Sequence, residues 1–155
     1  MRDSKPIMLV EDDTVDAMTV KRALKDLKVL NPLIRAGNGE EALVYLRDDN
    51  NVKPCVILLD LNMPKMNGIE FLKVAKADEK LRRIPAIILT TSKDDQDRIQ
   101  TFQLNVAGFI VKPVDYKKFV DAVRIINLYW TLSELPNGEQ ESTNANVQTD
   151  TACRR

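Results

Sequence analysis

The chain has 155 residues, of which 44% are hydrophobic and 30% charged, the balance of one globular domain with a substantial core. Its formal net charge is zero and no run approaches the ~18 apolar residues of a membrane span, so the composition favours neither a nucleic-acid partner nor a membrane partner. Because the N-terminus lacks a signal-peptide pattern and the two cysteines, Cys55 and Cys153, form no disulfide framework, we expect a reduced, cytoplasmic setting.

Apolar segments of strand length alternate with amphipathic segments along the chain. The predicted strands are Pro6–Val10, Leu33–Ala36, Cys55–Leu59, Ala86–Thr90 and Phe109–Val111. The predicted helices are a segment with Ala17, Val20, Leu24 and Leu27 on one face, then Glu40–Arg47, Gly68–Ala77, Asp94–Leu104 and Asp115–Leu132. Five strands alternating with five helices predict an α/β fold whose parallel sheet is covered on both faces.

The end of the chain has a different composition. After Leu135 the sequence has almost no large apolar residue, which is typical of a disordered segment. We therefore expect one domain over residues 1–135 and a disordered polar tail over residues 136–155. Within the domain, Asp13, Ser92 and Asp115 are candidate N-caps of the helices that follow them.

The most hydrophobic predicted strand ends in a charge. In VILLDLNMP, Asp60 follows four aliphatic residues, and Glu11, Asp12 and Asp13 directly follow the first strand. Ligands of open parallel sheets bind beyond the carboxyl ends of the strands, so neighbouring first and third strands would bring at least three carboxylates together. Two unit charges ~4 Å apart repel by about 4 kcal/mol at an effective dielectric constant of about 20. We therefore expect a cation that offsets this repulsion. Because the ligands would be oxygens, with no histidine or cysteine among them, the expected cation is Mg²⁺.

The fourth and fifth strands end in groups that bind phosphate oxygens. Thr90-Thr91-Ser92 closes one strand, and Lys112-Pro113 follows the other. A carboxylate can act as a nucleophile toward phosphorus, and phosphoryl transfer needs mainly positioning and charge neutralisation. The chain has no histidine, which excludes a histidine general base and a histidine-ligated metal. The sheet edge is therefore interpreted as a site where Asp60 meets a metal ion and a phosphoryl group.

Four motifs in this order resemble a receiver domain of the two-component response regulators. MLVEDD is similar to the family's acidic pair, LLDLNMPKMNG to its phosphoacceptor strand and loop, LTTS to its hydroxyl strand and VKP to its lysine. The resemblance covers about residues 5–130. It implies a flavodoxin-like, doubly wound, five-stranded parallel sheet with five helices.

The resemblance also implies roles for residues around the phosphoryl group. Asp60 would be the phosphoacceptor, Thr90 the switch hydroxyl and Lys112 a contact of the phosphoryl group. Phe109 would occupy the aromatic switch position. The plainer interpretations are that Thr90 is an ordinary strand residue, that Lys112 is a solvated lysine and that Phe109 is a half-buried core aromatic.

The metal site implied by the resemblance consists of Glu11, Asp12 and Asp60 with the backbone carbonyl of Asn62. The plainer interpretation of Asp12, and the favoured one for Asp13, is a helix cap, because acids stabilise a helix N-terminus.

The resemblance implies a single-domain response regulator that accepts its phosphoryl group from a histidine kinase or a histidine phosphotransfer protein and has no enzymatic output. Output by partner binding and relay of the phosphoryl group to another protein both remain open. An aspartyl-phosphate phosphatase of the haloacid dehalogenase type would place a second acid two residues after the nucleophile, where this chain has Asn62. A flavodoxin-like cofactor binder would need a phosphate-binding loop after the first strand. This chain has three acids there, which would repel the phosphate.

The last predicted helix carries more apolar residues than one buried face needs. One stripe at helical spacing consists of Phe119, Val123, Ile126 and Trp130. The apolar residues outside this stripe are Val120, Ile125, Leu128, Tyr129 and Leu132. A surplus of this size would form an unusually large exposed patch on a monomer. We expect a two-fold homodimer through this helix, with a dock for the kinase or a downstream protein as the alternative.

Overall fold

The structure, a computed structural model, describes residues 5–61, 63, 65–90, 98–100, 103–111 and 115–133, with the side chains of Thr90, Val111, Ile126 and residues 128–133 left out of that description. The predicted cap at Ser92, the domain end at residue 135 and the disordered tail over residues 136–155 lie outside the described residues.

Strands and helices alternate in the predicted order. The first six elements are β1 (Ile7–Val10), α1 (Thr14–Asp26), β2 (Leu33–Ala36), α2 (Gly39–Arg47), β3 (Val56–Asp60) and α3 (Gly68–Ala77). They are followed by β4 (Ala86–Thr90), β5 (Gly108–Val111) and a helix, here called the final helix (Tyr116–Ser133). Between β4 and β5, residues 98–100 are helical, inside the segment predicted as the fourth helix.

All neighbouring strands of the sheet are parallel, and their order is β2-β1-β3-β4-β5. The strand order reverses between β1 and β3, and this is the order of flavodoxin-like folds. The register pairs Val10 with Leu59, and Asp60 with Leu89. The carboxyl ends of β1, β3 and β4 therefore lie side by side at one edge, and the predicted doubly wound parallel sheet is confirmed.

Alternate residues of the central strands pack on opposite faces of the sheet, because successive side chains of a strand point to opposite sides. The buried residues of β1 and β3 on the α2 and α3 face are Met8, Val10, Ile57 and Leu59. Those of the same strands on the face of α1 and the final helix are Ile7, Leu9, Val56 and Leu58. The sheet is thus covered on both faces, as the continuous apolar strands predict.

Two predicted helix caps are confirmed. The Asp13 carboxylate accepts a hydrogen bond from the Asp16 N–H at 2.9 Å, and the Asp115 carboxylate accepts one from the Lys118 N–H at 2.9 Å. Each satisfies a backbone donor that the first turn of a helix leaves without an intrahelical partner.

Several predicted boundaries differ from the observed ones, and for two of them the backbone contacts give the reason. Asp60 belongs to β3 instead of following it, because its backbone continues the parallel pairing with β4. The fourth predicted helix does not reach Leu104. Gln103 has a φ of 54°, and the Leu104 N–H donates to the Ile99 carbonyl at 3.1 Å, which closes the helix at a left-handed residue.

The final helix packs on α1 through part of its predicted stripe. Phe119 and Val123 are buried with the α1-side core. Val120 was predicted to belong to the exposed surplus outside the stripe. This prediction is wrong, because Val120 is partly buried against the same core and does not add to an exposed patch. Ile125 is 68% exposed, as the surplus predicts. In the part of the chain that the structure describes, no helix is both long and apolar enough to span a bilayer.

Candidate functional site

Three carboxylates meet at the carboxyl edge of the sheet, where β1 and β3 end. One oxygen from each of Glu11, Asp12 and Asp60 lies within 4.8 Å of the others, and these residues are called the acidic cluster below. Glu11 is 1% exposed and Asp60 is 4% exposed, whereas Asp12 is exposed. The structure thus brings together the three acids that the sequence places at the ends of two strands.

Asp60 is held by the sheet on one side and by the start of α3 on the other. Every residue of β3 is buried, so the apolar run Val56–Leu59 fixes the position of the carboxylate that ends it. The Gly68 N–H donates to the Leu61 carbonyl at 3.1 Å. A Cβ atom on Gly68 would lie 2.7 Å from the Asp60 carbonyl oxygen and 2.8 Å from the Leu61 Cα. The backbone of Asp60 and Leu61 therefore packs directly on a helical glycine.

Glu11 and Asp12 lie between the last residue of β1 and the first turn of α1. The Glu11 N–H donates to the Ala36 carbonyl of β2 at 2.9 Å, which extends the β1–β2 contact by one residue. The Glu11 carboxylate accepts a hydrogen bond from the Asp13 N–H at 3.3 Å. Asp13 itself uses its carboxylate as the α1 cap. Of the three consecutive acids, Asp13 lies outside the acidic cluster, whereas Glu11 and Asp12 belong to it.

Arg35 is a site residue that the sequence interpretation missed. It lies in β2, opposite Leu9 of β1. Its Nε donates to the Glu11 carbonyl at 3.0 Å and its Nη2 donates to the Asp12 carbonyl at 3.1 Å. The only sequence signal is one basic residue inside an apolar strand segment, which by itself is typical of a solvent-facing side chain.

The residues directly before α3 make contacts that the sequence interpretation also missed. Asn67 and Glu70 form a capping box: the Glu70 N–H donates to the Asn67 side chain at 3.0 Å, and the Asn67 N–H donates to the Glu70 carboxylate at 2.9 Å. The Met66 carbonyl accepts the Gly39 N–H of α2 at 3.0 Å. The Asn-x-x-Glu spacing indicates a cap, whereas the sequence pattern gives no sign of the contact between the starts of α2 and α3.

The remaining predicted site residues are described only in part. Thr90 ends β4, one residue after Leu89, which pairs with Asp60, so its backbone lies at the same edge as the acidic cluster. Phe109 is half-buried and packs against the core on the α2 and α3 face. Asn62 and Lys112 lie outside the described residues.

The donor set of the acidic cluster fits a hard divalent cation. All three candidate ligand groups are carboxylates, and such oxygen donors suit Mg²⁺, Ca²⁺ or Mn²⁺ better than Zn²⁺ or Cu²⁺. The chain has no histidine, and Cys55 lies at the opposite end of β3, where its N–H donates to the Pro6 carbonyl. The residues present therefore agree with the predicted metal site in ligand type.

The fold and the acidic edge together define a class of protein, a doubly wound α/β domain with a carboxylate site at its switch point. Comparison with known families matches residues 7–124 to the response regulator receiver domain. The chain belongs to this family, and its predicted identification as a response regulator receiver domain is confirmed.

Relatives and solved structures agree with this assignment. Response regulator Rcp1 of Synechocystis sp. is 35% identical over 130 residues, which cover 81% of this chain and 88% of Rcp1. The crystal structure of the phosphorylated cyanobacterial phytochrome response regulator RcpA has a TM-score of 0.73 at 35% identity, covering 83% of this chain and 94% of RcpA. The Mn²⁺-bound form of Rcp1 has a TM-score of 0.71 at 35% identity, covering 81% of this chain and 94% of that chain.

Family membership establishes the general role of the chain. It is a receiver domain of the two-component systems, in which such domains interact with histidine kinases or phosphotransfer proteins. Receiver domains are generally non-enzymatic signal switches, and the family binds divalent metal. The acidic cluster is the part of this molecule that fits such a metal.

Proposed function

We propose that this protein is a phosphorylation-dependent switch in which Asp60 accepts a phosphoryl group from a histidine of a partner kinase or phosphotransfer protein. The observation that carries the proposal is the acidic cluster, with a buried carboxylate at the carboxyl end of the central strand. RcpA, a relative of similar length, has been crystallised in a phosphorylated form.

The proposed reaction is a direct transfer between two side chains. One Asp60 carboxylate oxygen attacks phosphorus, the new P–O bond forms, and the P–N bond to the donor imidazole breaks with its electron pair going to nitrogen. The chain has no histidine, so the donor imidazole belongs to the partner. Because phosphoryl transfer depends mainly on positioning and charge neutralisation, a rigid, buried strand end suits the acceptor.

The proposed metal is Mg²⁺, held by Glu11, Asp12 and Asp60 together with the backbone carbonyl of Asn62. When bound, the ion would offset the charge of the acidic cluster and of the phosphoryl oxygens. Rcp1 is known in a Mn²⁺-bound form. Carboxylate and carbonyl oxygens accept both ions, so the choice of Mg²⁺ rests on its preference for phosphate as a co-ligand.

The proposed switch uses Thr90, Lys112 and Phe109. An aspartyl phosphate adds roughly −1.5 to −2 charges at the site, and the Thr90 hydroxyl and the Lys112 ammonium would follow its oxygens. Phe109 lies opposite Ile88 of β4, and Ile88 is two residues before Thr90 in that strand. A shift of Thr90 would therefore occur close to this half-buried ring. The proposed output is altered binding of a protein partner, not catalysis, in a cytoplasmic protein without nucleic-acid or membrane partners.

We further infer a homodimer that forms through the final helix of a domain spanning residues 1–135, with residues 136–155 as a polar tail. Ile125 is 68% exposed on this helix. The sequence after it adds Leu128, Tyr129 and Leu132 to the same short stretch. Apolar residues gathered in this way favour a partner surface, and a two-fold pair is the commonest solution for a single chain type.

Incubation with acetyl phosphate and Mg²⁺ tests the proposed phosphoacceptor. The parent protein should gain the mass of one phosphoryl group, and Asp60→Asn should gain none. Asp13→Asn is the matched control, since Asp13 caps α1 and lies outside the acidic cluster. Full modification of Asp60→Asn, or equal loss in Asp13→Asn, would remove Asp60 from its proposed role.

A further inference from the structure

We propose that Arg35 is a positioning residue that fixes the backbone of the two consecutive metal-site acids and thereby sets the affinity for the divalent cation. The inference rests on the proposed function, because it takes Glu11 and Asp12 as ligands of that cation. It adds a residue from β2, a strand that contributes no carboxylate to the acidic cluster.

The guanidinium of Arg35 binds two successive carbonyl groups. Its Nε donates to the Glu11 carbonyl at 3.0 Å, and its Nη2 donates to the Asp12 carbonyl at 3.1 Å. The neighbouring residue of the same strand, Ala36, accepts the Glu11 N–H at 2.9 Å. Three hydrogen bonds from two adjacent β2 residues therefore hold the segment that carries both carboxylates.

These bonds act on the direction of the carboxylates through the backbone. Asp12 is exposed, whereas Glu11 is buried. A segment between a strand end and a helix start can rotate its peptide planes unless the carbonyl groups are held. Two parallel N–H donors in the plane of one guanidinium hold two successive carbonyl groups at once. A lysine in the same place carries its charge at a single flexible point and cannot reproduce this fork.

The charge of Arg35 has the opposite effect on cation binding. A guanidinium near the acidic cluster lowers the local negative potential, so its charge alone would weaken the binding of a divalent cation. Removal of the side chain therefore separates the two roles by sign. If positioning dominates, the variant binds the cation more weakly. If charge dominates, the variant binds it more tightly.

The experiment is calorimetric titration of the purified full chain with Mg²⁺ at 25 °C, for the parent, Arg35→Gln and Arg35→Lys. Both variants should bind about tenfold more weakly, as substitution of residues that orient metal ligands generally does. Arg47→Gln is the control, since it removes the same charge from the carboxyl end of α2, the end that leads to the amino end of β3. It should bind as the parent does.

Hydrogen exchange without metal supplies a second readout. The backbone amides of residues 11–13 should exchange faster in both Arg35 variants, because the segment loses two of the hydrogen bonds that hold it. If the parent binds Mg²⁺ and Arg35→Gln binds it as tightly or more tightly, the positioning role is overturned and the proposed function is left intact. A parent that binds no Mg²⁺ would overturn both.

Discussion

The carboxylate oxygens of Glu11 and Asp60 lie within 4.8 Å of each other although the two residues are only 1% and 4% exposed. Two unit charges at this separation repel by about 3–4 kcal/mol at an effective dielectric constant of about 20. The fold holds both in place by backbone contacts, of Glu11 with β2 and of Asp60 with β4. A cation bound among these carboxylates would offset their mutual repulsion and so stabilise the folded state.

Mg²⁺ should therefore raise the melting temperature of the unmodified protein. At a metal concentration 100 times the dissociation constant the gain is about 2.7 kcal/mol, or roughly 5–10 °C for a domain of this size. Asp12→Ala should show a much smaller shift, because one of the three carboxylates is missing. Differential scanning calorimetry with and without Mg²⁺ measures both.

Asp13→Ala is the control for this titration. It removes the α1 cap, so its melting temperature should fall by the equivalent of about 1 kcal/mol. Its Mg²⁺ shift should match that of the parent. Equal shifts for the parent and for Asp12→Ala would mean that the metal binds elsewhere.

Gly68→Ala should destabilise the protein by about 1–3 kcal/mol, the usual cost of overpacking. The new Cβ would lie 2.7 Å from the Asp60 carbonyl oxygen and 2.8 Å from the Leu61 Cα, both backbone atoms that cannot move freely. Gly37→Ala is the matched control, since the atoms nearest to its Cβ would belong to a side-chain end, the Glu41 carboxylate, at 3.2 Å, and not to backbone. Urea unfolding of the two variants measures the difference, and a Gly68→Ala protein as stable as Gly37→Ala would show that the loop after Asp60 is not held there.

The sequence was sufficient to predict the acidic cluster because two simple patterns determine it. A continuous apolar run ending in Asp60 defines a buried central strand, and the acids after Val10 define the end of its neighbour. Parallel pairing then brings both ends to one edge. What composition and periodicity could not supply was the register between β1 and β2, which decides whether a side chain such as Arg35 can reach Glu11 and Asp12.

Boundaries set by backbone conformation were also beyond the sequence. Lys28, Lys65 and Gln103 have φ values of 59°, 60° and 54°, in the left-handed region that glycine usually occupies. No glycine marked these positions, so the end of the fourth helix was predicted too far along the chain. At two of these positions, Lys28 and Gln103, local hydrogen bonds close the end of a helix: the Val29 N–H donates to the Leu24 carbonyl at 3.0 Å and the Leu104 N–H to the Ile99 carbonyl at 3.1 Å.

Thr90→Ala should accept a phosphoryl group as the parent does but lose the conformational response. In the parent, phosphorylation should change hydrogen exchange in residues 103–111, which contain the half-buried Phe109. The change is expected to be partial, since a shift from 1:99 to 99:1 needs about 5.5 kcal/mol of preference. Thr19→Ala, on the exposed face of α1, is the control. The coupling role fails if the Thr90→Ala protein shows the parental exchange response.

Ile125→Lys should convert a dimer to a monomer in light scattering over a concentration series, with and without acetyl phosphate. A charge at this exposed apolar position would be buried without a partner in a two-fold interface. Val44→Lys makes a similar change at a position 73% exposed on α2, and this variant should have the same mass in solution as the parent. A parent with the mass of one chain under every condition would rule out the homodimer.

Locating the modified residue decides whether Asp60 is the phosphoacceptor. After treatment with acetyl phosphate and Mg²⁺, borohydride reduces an aspartyl phosphate to homoserine, and peptide mass spectrometry then reads the position of that residue. Homoserine is expected at position 60 alone, and none is expected when Mg²⁺ is omitted. Homoserine at position 12 or 13, or at any acid outside the acidic cluster, would show that Asp60 is not the phosphoacceptor.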